Sequence, residues 1–393
     1  MIRLAPLALQ LAAVPLMAAE ADSNARFGGP DAVDNQLEED KKRHPVPHKE
    51  RWAQRGLSLG FDYSAVALWA SDSLPGADDN AAGAMARFYG SWALVNRGEA
   101  NSGSLVWKLE HRHAYTDTAV KDFEFGVGGL GLVTPPFSDQ KGRLTNLYWK
   151  QRLSGGRATL VAGFLDATDY FDVYALASPW SGFMNFAFST GTTTVALPGD
   201  ATLGVAGATM LGENWFLIAG LTDMESDPTE PWKGVETFFS DNRYFSSVEL
   251  GWTSDQSQIY VNNVHLSLWH ADESEMQGTN EGRGLNLSAS TQLGSWLPFV
   301  RAGFSEDAGT LAEKSVSLGT GYYGLVEGST LGAAVNWAEV PGADDQWTWE
   351  LFFLFKPLPY LELTPDLQVI QNPALNPGES SVVMYGLRGR VFY

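Results

Sequence analysis

The chain has 393 residues, no cysteine, 41 glycines, 12% aromatic residues and a formal charge of −20. So acidic a balance excludes a binder of nucleic-acid phosphates, which needs clustered Lys and Arg, and the lack of cysteine excludes a disulfide framework, so stability has to come from a large hydrogen-bonded architecture. A mean hydropathy of −0.14 still admits a β-barrel, which shows lipid only every second side chain and keeps a polar lumen.

At the N-terminus Arg3 supplies a positive charge, Leu4 to Met17 is apolar apart from Gln10, and Ala19, Glu20 and Ala21 provide small residues for cleavage. This pattern predicts a secretory signal peptide over 1–21. The stretch is too short, and too interrupted by Pro6 and Pro15, for a transmembrane helix of about 20 apolar residues. Later apolar residues are broken every few positions by a charge, Gly, Asn or Ser, which excludes a helical membrane protein. Residues 22–56 are charged and carry Lys41, Lys42 and Arg43 before Pro45 and Pro47. They read as a periplasmic N-terminal segment, either with a short helix over His48–Arg55 or as a disordered linker.

From Leu57 one theme repeats, a run of about ten residues alternating apolar with polar or small, then a turn signal. Leu57, Leu59, Phe61, Tyr63, Ala65, Ala67 and Trp69 alternate with Ser58, Gly60, Asp62 and Ser64. The predicted strands are 57–69, 84–95, 104–116, 143–153, 157–165, 201–209, 214–222, 245–254, 258–270, 282–293, 296–305, 313–322, 329–338, 347–356, 360–370 and 381–393. Links after odd strands are long (117–142, 166–200, 223–244), and those after even strands are tight, as at Ser154, Gly155 and Gly156. The expected fold is all-β, a transmembrane antiparallel up-and-down barrel of about sixteen strands over 57–393. Strands near ten residues suit a tilted membrane crossing better than a soluble sandwich.

Sixteen strands enclose more space than wall side chains can fill, so an aqueous channel follows unless something narrows it. The 166–200 link carries Tyr170, Phe171, Tyr174, Trp180, Phe183, Phe186 and Phe188, too much apolar surface to leave in water. It is expected either to fold back into the lumen or to lid the mouth.

Period-two alternation names the inward residues. They are Lys108, Glu110 and Arg112 in the third strand, Asn146 and Lys150 in the fourth, Asn263 and His265 in the ninth, Arg301 in the eleventh and Glu350 in the fourteenth. Glu362, Asp366 and Gln368 follow in the fifteenth, then Arg388 and Arg390 in the last. Mixed charges and amides suit a hydroxyl-covered neutral sugar, where a phosphate pore would show a ring of Lys and Arg. No catalytic set stands out: His265 and Ser267 share a face without an evident third member. His111 and His113 lack a third metal ligand and read as outward residues at the headgroup level. No enzyme, metal or cofactor is expected.

Several stretches resemble the carbohydrate-selective porins of the OprB type: LVWKLEHRHAY from Leu105, RLTNLYWKQRL from Arg143, DATDYFDVYALASPW from Asp166, FFSDNRYFSSVELGW from Phe238, NNVHLSLWHAD from Asn262 and LELTPDLQVIQNPALNP from Leu361. The similarity runs from about Lys49 to Tyr393. It implies a sixteen-stranded bacterial outer-membrane channel that passes glucose and related sugars passively, meeting lipid and lipopolysaccharide outside, as monomer or homotrimer. A general diffusion porin, non-selective or cation-preferring, is the alternative. By the same resemblance, Glu110, Arg112, Asn146, Asp169, Asp172, Trp180 and Asp366 join the pore lining. Phe164 and Leu354 depart from it, standing where many members carry basic residues.

Overall fold

The structure, a computed structural model, describes residues 27–43, 47–131 and 136–393; the expected signal peptide lies outside them. Sixteen antiparallel strands close in sequence order, each paired with its neighbours in the chain and β1 with β16. The first eight are β1 (Leu57–Ala70), β2 (Asn80–Val95), β3 (Gly103–Ala114), β4 (Lys141–Leu153), β5 (Ala158–Leu165), β6 (Thr202–Leu211), β7 (Trp215–Asp223) and β8 (Tyr244–Thr253). The rest are β9 (Asn263–Ala271), β10 (Gly282–Ser290), β11 (Trp296–Asp307), β12 (Lys314–Tyr323), β13 (Thr330–Glu339), β14 (Gln346–Leu358), β15 (Leu361–Gln371) and β16 (Ser381–Phe392).

All sixteen expected strands are present. The largest displacement is at β9, which begins at Asn263 because Gln256–Gln258 form a 3-10 turn capped by the Asp255 carboxylate. Alternation of long and short links is plain in the first half and fades later, where 308–313 and 324–329 are of equal length.

Alternation sets the two faces of the wall. In β3, Val106, Lys108, Glu110 and Arg112 point inward and are buried, while Leu109 is exposed on the outside. A bulge between β3 and β4 breaks the parity there: Lys108 pairs with Asn146, but Leu109 pairs with Leu144. Thr145 and Asn146 are therefore both buried inside, and Arg143 also turns inward. An extra residue on one strand of an antiparallel pair does this by definition.

Among the described residues four α-helices decorate the barrel: α1 (Val33–Arg43), α2 (Pro47–Gln54), α3 (Phe123–Val127) and α4 (Lys233–Ser240). The first two frame the entry to β1. α2 covers most of the helix expected over His48–Arg55, and its His48 ring stacks on Tyr393 with centroids 5.7 Å apart. α1 lies inside the lumen, with Val33 and Leu37 packed on Tyr89 and Val106 of the inner wall. α4 sits outside, where Trp232 meets Phe164 edge to face at 5.3 Å. Phe164 thus faces outward and is no lumen residue, which corrects the position that the resemblance gave it; Leu354 does face inward, against the loop cluster of Tyr174 and Phe183.

Candidate functional site

The loop 166–201 folds into the lumen instead of lidding it. Its aromatic residues dock on inward-facing wall residues: Phe171 on Phe245 at 5.7 Å, Tyr174 on Phe299 at 4.9 Å and Phe183 on Phe352 at 4.9 Å. Each such burial is worth about 1.5–3 kcal/mol and offsets part of the cost of ordering the loop, the polar anchors supplying more. Close seating needs a wall without side chains at certain points. A Cβ on Gly303 of β11 would collide with Thr194 Oγ1.

Polar anchors fix the loop on β8 to β16. Glu350 accepts from the backbone N–H groups of Met184 (2.6 Å) and Asn185 (3.0 Å), and Arg388 donates to the carbonyls of Pro179 and Gly182 at 2.5 and 3.0 Å. Gln368 accepts from Asn185 at 2.9 Å and donates to Asp366 at 3.2 Å. On the other flank Asp172 is paired with Arg301, lies 3.0 Å from His265 Nε2, and gives its own N–H to Glu249 at 2.8 Å. His265 Nδ1 lies 3.1 Å from Asn263, and Ser267 donates to Glu249 at 2.8 Å. Ser267 and His265 are thus each engaged elsewhere. Burial raises the cost of the Asp172 charge, but Arg301 and His265 outweigh it and hold the carboxyl below its usual range.

The opposite wall, β1 to β4, faces what the loop leaves open, and here the charges cluster. Asp62 joins Arg87 to Arg390, with Arg87 Nε at 2.7 Å and Arg390 Nε at 3.0 Å. Arg112 reaches Glu110 at 2.6 Å and Asp200 of the loop at 3.0 Å, and Arg143 pairs with the same Asp200. Lys108 and Asn146 both reach the Asp169 carboxylate, at 3.3 Å each. Lys150 pairs with Asp34 of α1. Asp169 is pushed well up by burial, against the pull of Lys108; Asp166 is pushed up to about 6 by burial and then by Asp200.

Two cavities flank this strip. A vestibule of about 900 Å³ on the long-loop side is lined by Arg87, Lys108, Glu110, Arg112, Arg143, Asp166, Trp180 and Asp200; another of about 420 Å³ opens on the short-turn side, lined by Glu362 and Arg390. Pro30 and Asp31 line both.

The structure therefore sorts the residues expected from sequence into two groups. Lys108, Glu110, Arg112, Asn146, Lys150, Asp169 and Trp180 stand at the strip and its cavities, whereas Asp172, Asn263, His265, Arg301, Glu350, Asp366 and Arg388 belong to the network that fixes the loop. Trp180 offers no open platform, since the Arg87 guanidinium stacks on its ring at 4.1 Å. Sequence reasoning missed Arg87, Arg143, Asp200 and Asp31. Arg143 was hidden by the bulge, while Arg87 shares the parity of Met85 and Tyr89 and could have been found from it. His111 and His113 face outward as expected, and Tyr63 Oη meets His113 Nε2 at 3.0 Å. Among the described residues no group of three or more His, Cys, Asp or Glu is placed to hold a metal.

No family model matches the chain, and no curated protein matches it. Solved structures do. OprB of Pseudomonas putida, at high pH, superposes with a TM-score of 0.69 at 13% identity, covering 88% of this chain and 96% of that one. This chain has the OprB porin fold. The low-pH structure of the same OprB follows with a TM-score of 0.51 at 12% identity, covering 88% and 95%. A triple mutant of the Rhodopseudomonas blastica porin has a TM-score of 0.53 at 12% identity, covering 86% and 100%. At these identities the likeness shows the fold, a closed sixteen-stranded barrel.

Proposed function

We propose that this chain is a porin of the bacterial outer membrane, exported by its N-terminal leader, that lets small carbohydrates such as glucose diffuse passively through its lumen. The observation that carries this reading is the strip of Arg, Lys, Glu and Asp beside a fixed loop, lining a vestibule of about 900 Å³. Such a strip offers donors and acceptors in pairs, which suits hydroxyl groups. Conduction also needs weak, multi-site binding that lets the solute leave. The outward band, with Leu160, Val205, Leu250, Leu266 and Leu285 all exposed, fits contact with lipid and, towards the long loops, lipopolysaccharide. The buried anchors hold the loop, which supports a channel in preference to an enzyme.

The second reading is a general diffusion porin, and Trp180 favours it, because its ring is covered by Arg87 and gives a sugar no bare face. Planar-bilayer conductance with glucose and maltose titrated against the ion current decides. Block by millimolar neutral sugar, weakened in Arg112→Ala, supports selectivity. Steady current untouched by any sugar leaves the general porin, and absence of conductance refutes the channel.

A further inference from the structure

The N-terminal segment is built into the charged strip. Gly29 donates its N–H to the Asp169 carbonyl at 2.7 Å, and Lys108 donates to the Asp31 carbonyl at 3.2 Å. The Asp31 carboxylate accepts from Ser178 at 2.7 Å and lies in the field of Arg87 and Lys108; the Asp34 carboxylate pairs with Lys150; Asp40 accepts from Tyr89 at 2.5 Å. These cations occupy β2, β3 and β4, the part of the wall the loop leaves open. Pro30 and Asp31 stand at the junction of the two cavities, so a solute crossing along the strip has to pass them. On the same wall, Arg143 Nε, Thr145 Oγ1 and the neighbouring Asn146 Oδ1 are buried without a hydrogen-bond partner among the described residues. They leave both donor and acceptor capacity for a polar ligand.

We propose that residues 27–43 are a tethered plug whose carboxylates stand in for the solute on the Arg87, Lys108 and Lys150 strip, so that the solute best able to displace it is a sugar acid. This deepens the porin reading and rests on it. The chemistry follows from the occupant: a side-chain carboxylate held against Lys150, with another in the field of Arg87 and Lys108, marks places where a uronate carboxylate fits and a neutral sugar leaves a cation uncompensated. Charge-assisted hydrogen bonds are roughly twice as strong as neutral ones. A plug joined by a short tether competes at an effective concentration on the order of millimolar. Displacement therefore takes place in the millimolar range, the weak regime a diffusion channel needs.

The test uses the full chain in planar bilayers, with glucose and glucuronate titrated against the ion current. The Asp31→Asn, Asp34→Asn double variant removes the competitor and keeps the cations: its conductance should rise several-fold and glucuronate should block at a concentration about tenfold lower than in the native chain. Lys150→Gln weakens the plug and the site together, so conductance should rise while the glucuronate preference over glucose falls at least threefold. Opposite shifts in glucuronate block are the signature. As a check independent of charge, a Cβ built at Gly29 lies 3.0 Å from that of Val173, so a disulfide, with its Cβ spacing of about 3.5–4.5 Å, forms once the two backbones part slightly, and the chain has no other cysteine. Gly29→Cys with Val173→Cys should conduct poorly when oxidised and recover on reduction. Conductance indifferent to the lock, or glucuronate block that moves the same way in both charge variants, overturns the plug while leaving a porin. No current from any form overturns the porin reading and the plug together.

Discussion

Arg301→Ala is the sharpest perturbation of the loop anchorage. The guanidinium of Arg301 pairs with the Asp172 carboxylate, donates to the Asp172 carbonyl at 3.0 Å and to the Ser189 carbonyl, and stacks on Tyr174 at 4.6 Å. Both side chains of the ion pair are 1% exposed, so the truncation leaves a buried carboxylate with His265 and the Gly191 N–H as its remaining partners. Breaking a buried pair from one side costs about 3–5 kcal/mol, which is about two to nearly four decades in an opening equilibrium. The sixteen-stranded ladder makes no use of this guanidinium, so the loss falls on the loop. Open-channel current should rise, with new noise from loop excursions, and protease should cut within 172–191 faster than in the native barrel. Lys314→Ala serves as the control. Its pair with Glu339 spans 2.9 Å, but the side chains are 48% and 35% exposed, a setting worth about 0–1 kcal/mol. Equal current, noise and cleavage rate for Arg301→Ala and Lys314→Ala would refute the claim that Asp172 ties the loop to the wall.

Selectivity should follow pH. Asp166 titrates at about 6 and Asp169 is also raised, by burial in both cases, so the folded channel binds protons that the unfolded chain releases, and lowering the pH through 6 stabilises the loop while removing negative charge. The cation-to-anion permeability ratio read from reversal potentials should therefore fall between pH 7 and pH 5, and Asp166→Asn should flatten that dependence. Gly303→Val places side-chain atoms in the space of Thr194 Oγ1; overpacking of this kind costs about 1–3 kcal/mol, and heat-modifiability on gels should shift to lower temperature with a rise in current.

The strands were legible because a barrel wall repeats one signal sixteen times, and a period of two survives the odd polar residue. Errors arose where local chemistry broke the period. Ile259, Tyr260 and Val261 look like strand, yet the Asp255 cap turns the chain before them and Ile259 packs beside Phe27. The bulge at Thr145 reversed the parity that had placed Asn146 and Lys150 inward, so Arg143 was missed on the same strand. α1 gave little warning, since Val33 and Leu37 are its only aliphatic residues and its place in the lumen depends on Asp34 meeting Lys150 and Asp40 meeting Tyr89. Alternation could also name an inward residue without telling whether it meets solvent or the loop. Glu350 and Glu110 look alike in sequence, and only the fold of the loop separates an anchor from a pore residue.

That separation has a junction. Asp169 faces the strip through Lys108 and Asn146, and three residues on Asp172 faces the anchors through Arg301 and His265. Only Tyr170 and Phe171 stand between them, directly after a 3-10 turn, Ala167–Asp169, whose cap Asp166 accepts from Thr168 N at 3.0 Å. A shift of the loop at Arg301 therefore displaces the carboxylate that neutralises Lys108. Sites far apart with no shared partner add, and sites joined through one short segment do not. In a double-mutant cycle of Arg301→Ala and Lys108→Gln, the change in reversal potential should be markedly smaller for the pair than the sum of the two, because a loosened loop has already taken Asp169 away from Lys108. A cycle of Glu350→Gln with Lys108→Gln, whose loop contacts lie at Met184 and Asn185, should come closer to additive. If both cycles add equally well, gating and selectivity are set independently and the short segment 169–172 carries nothing between them.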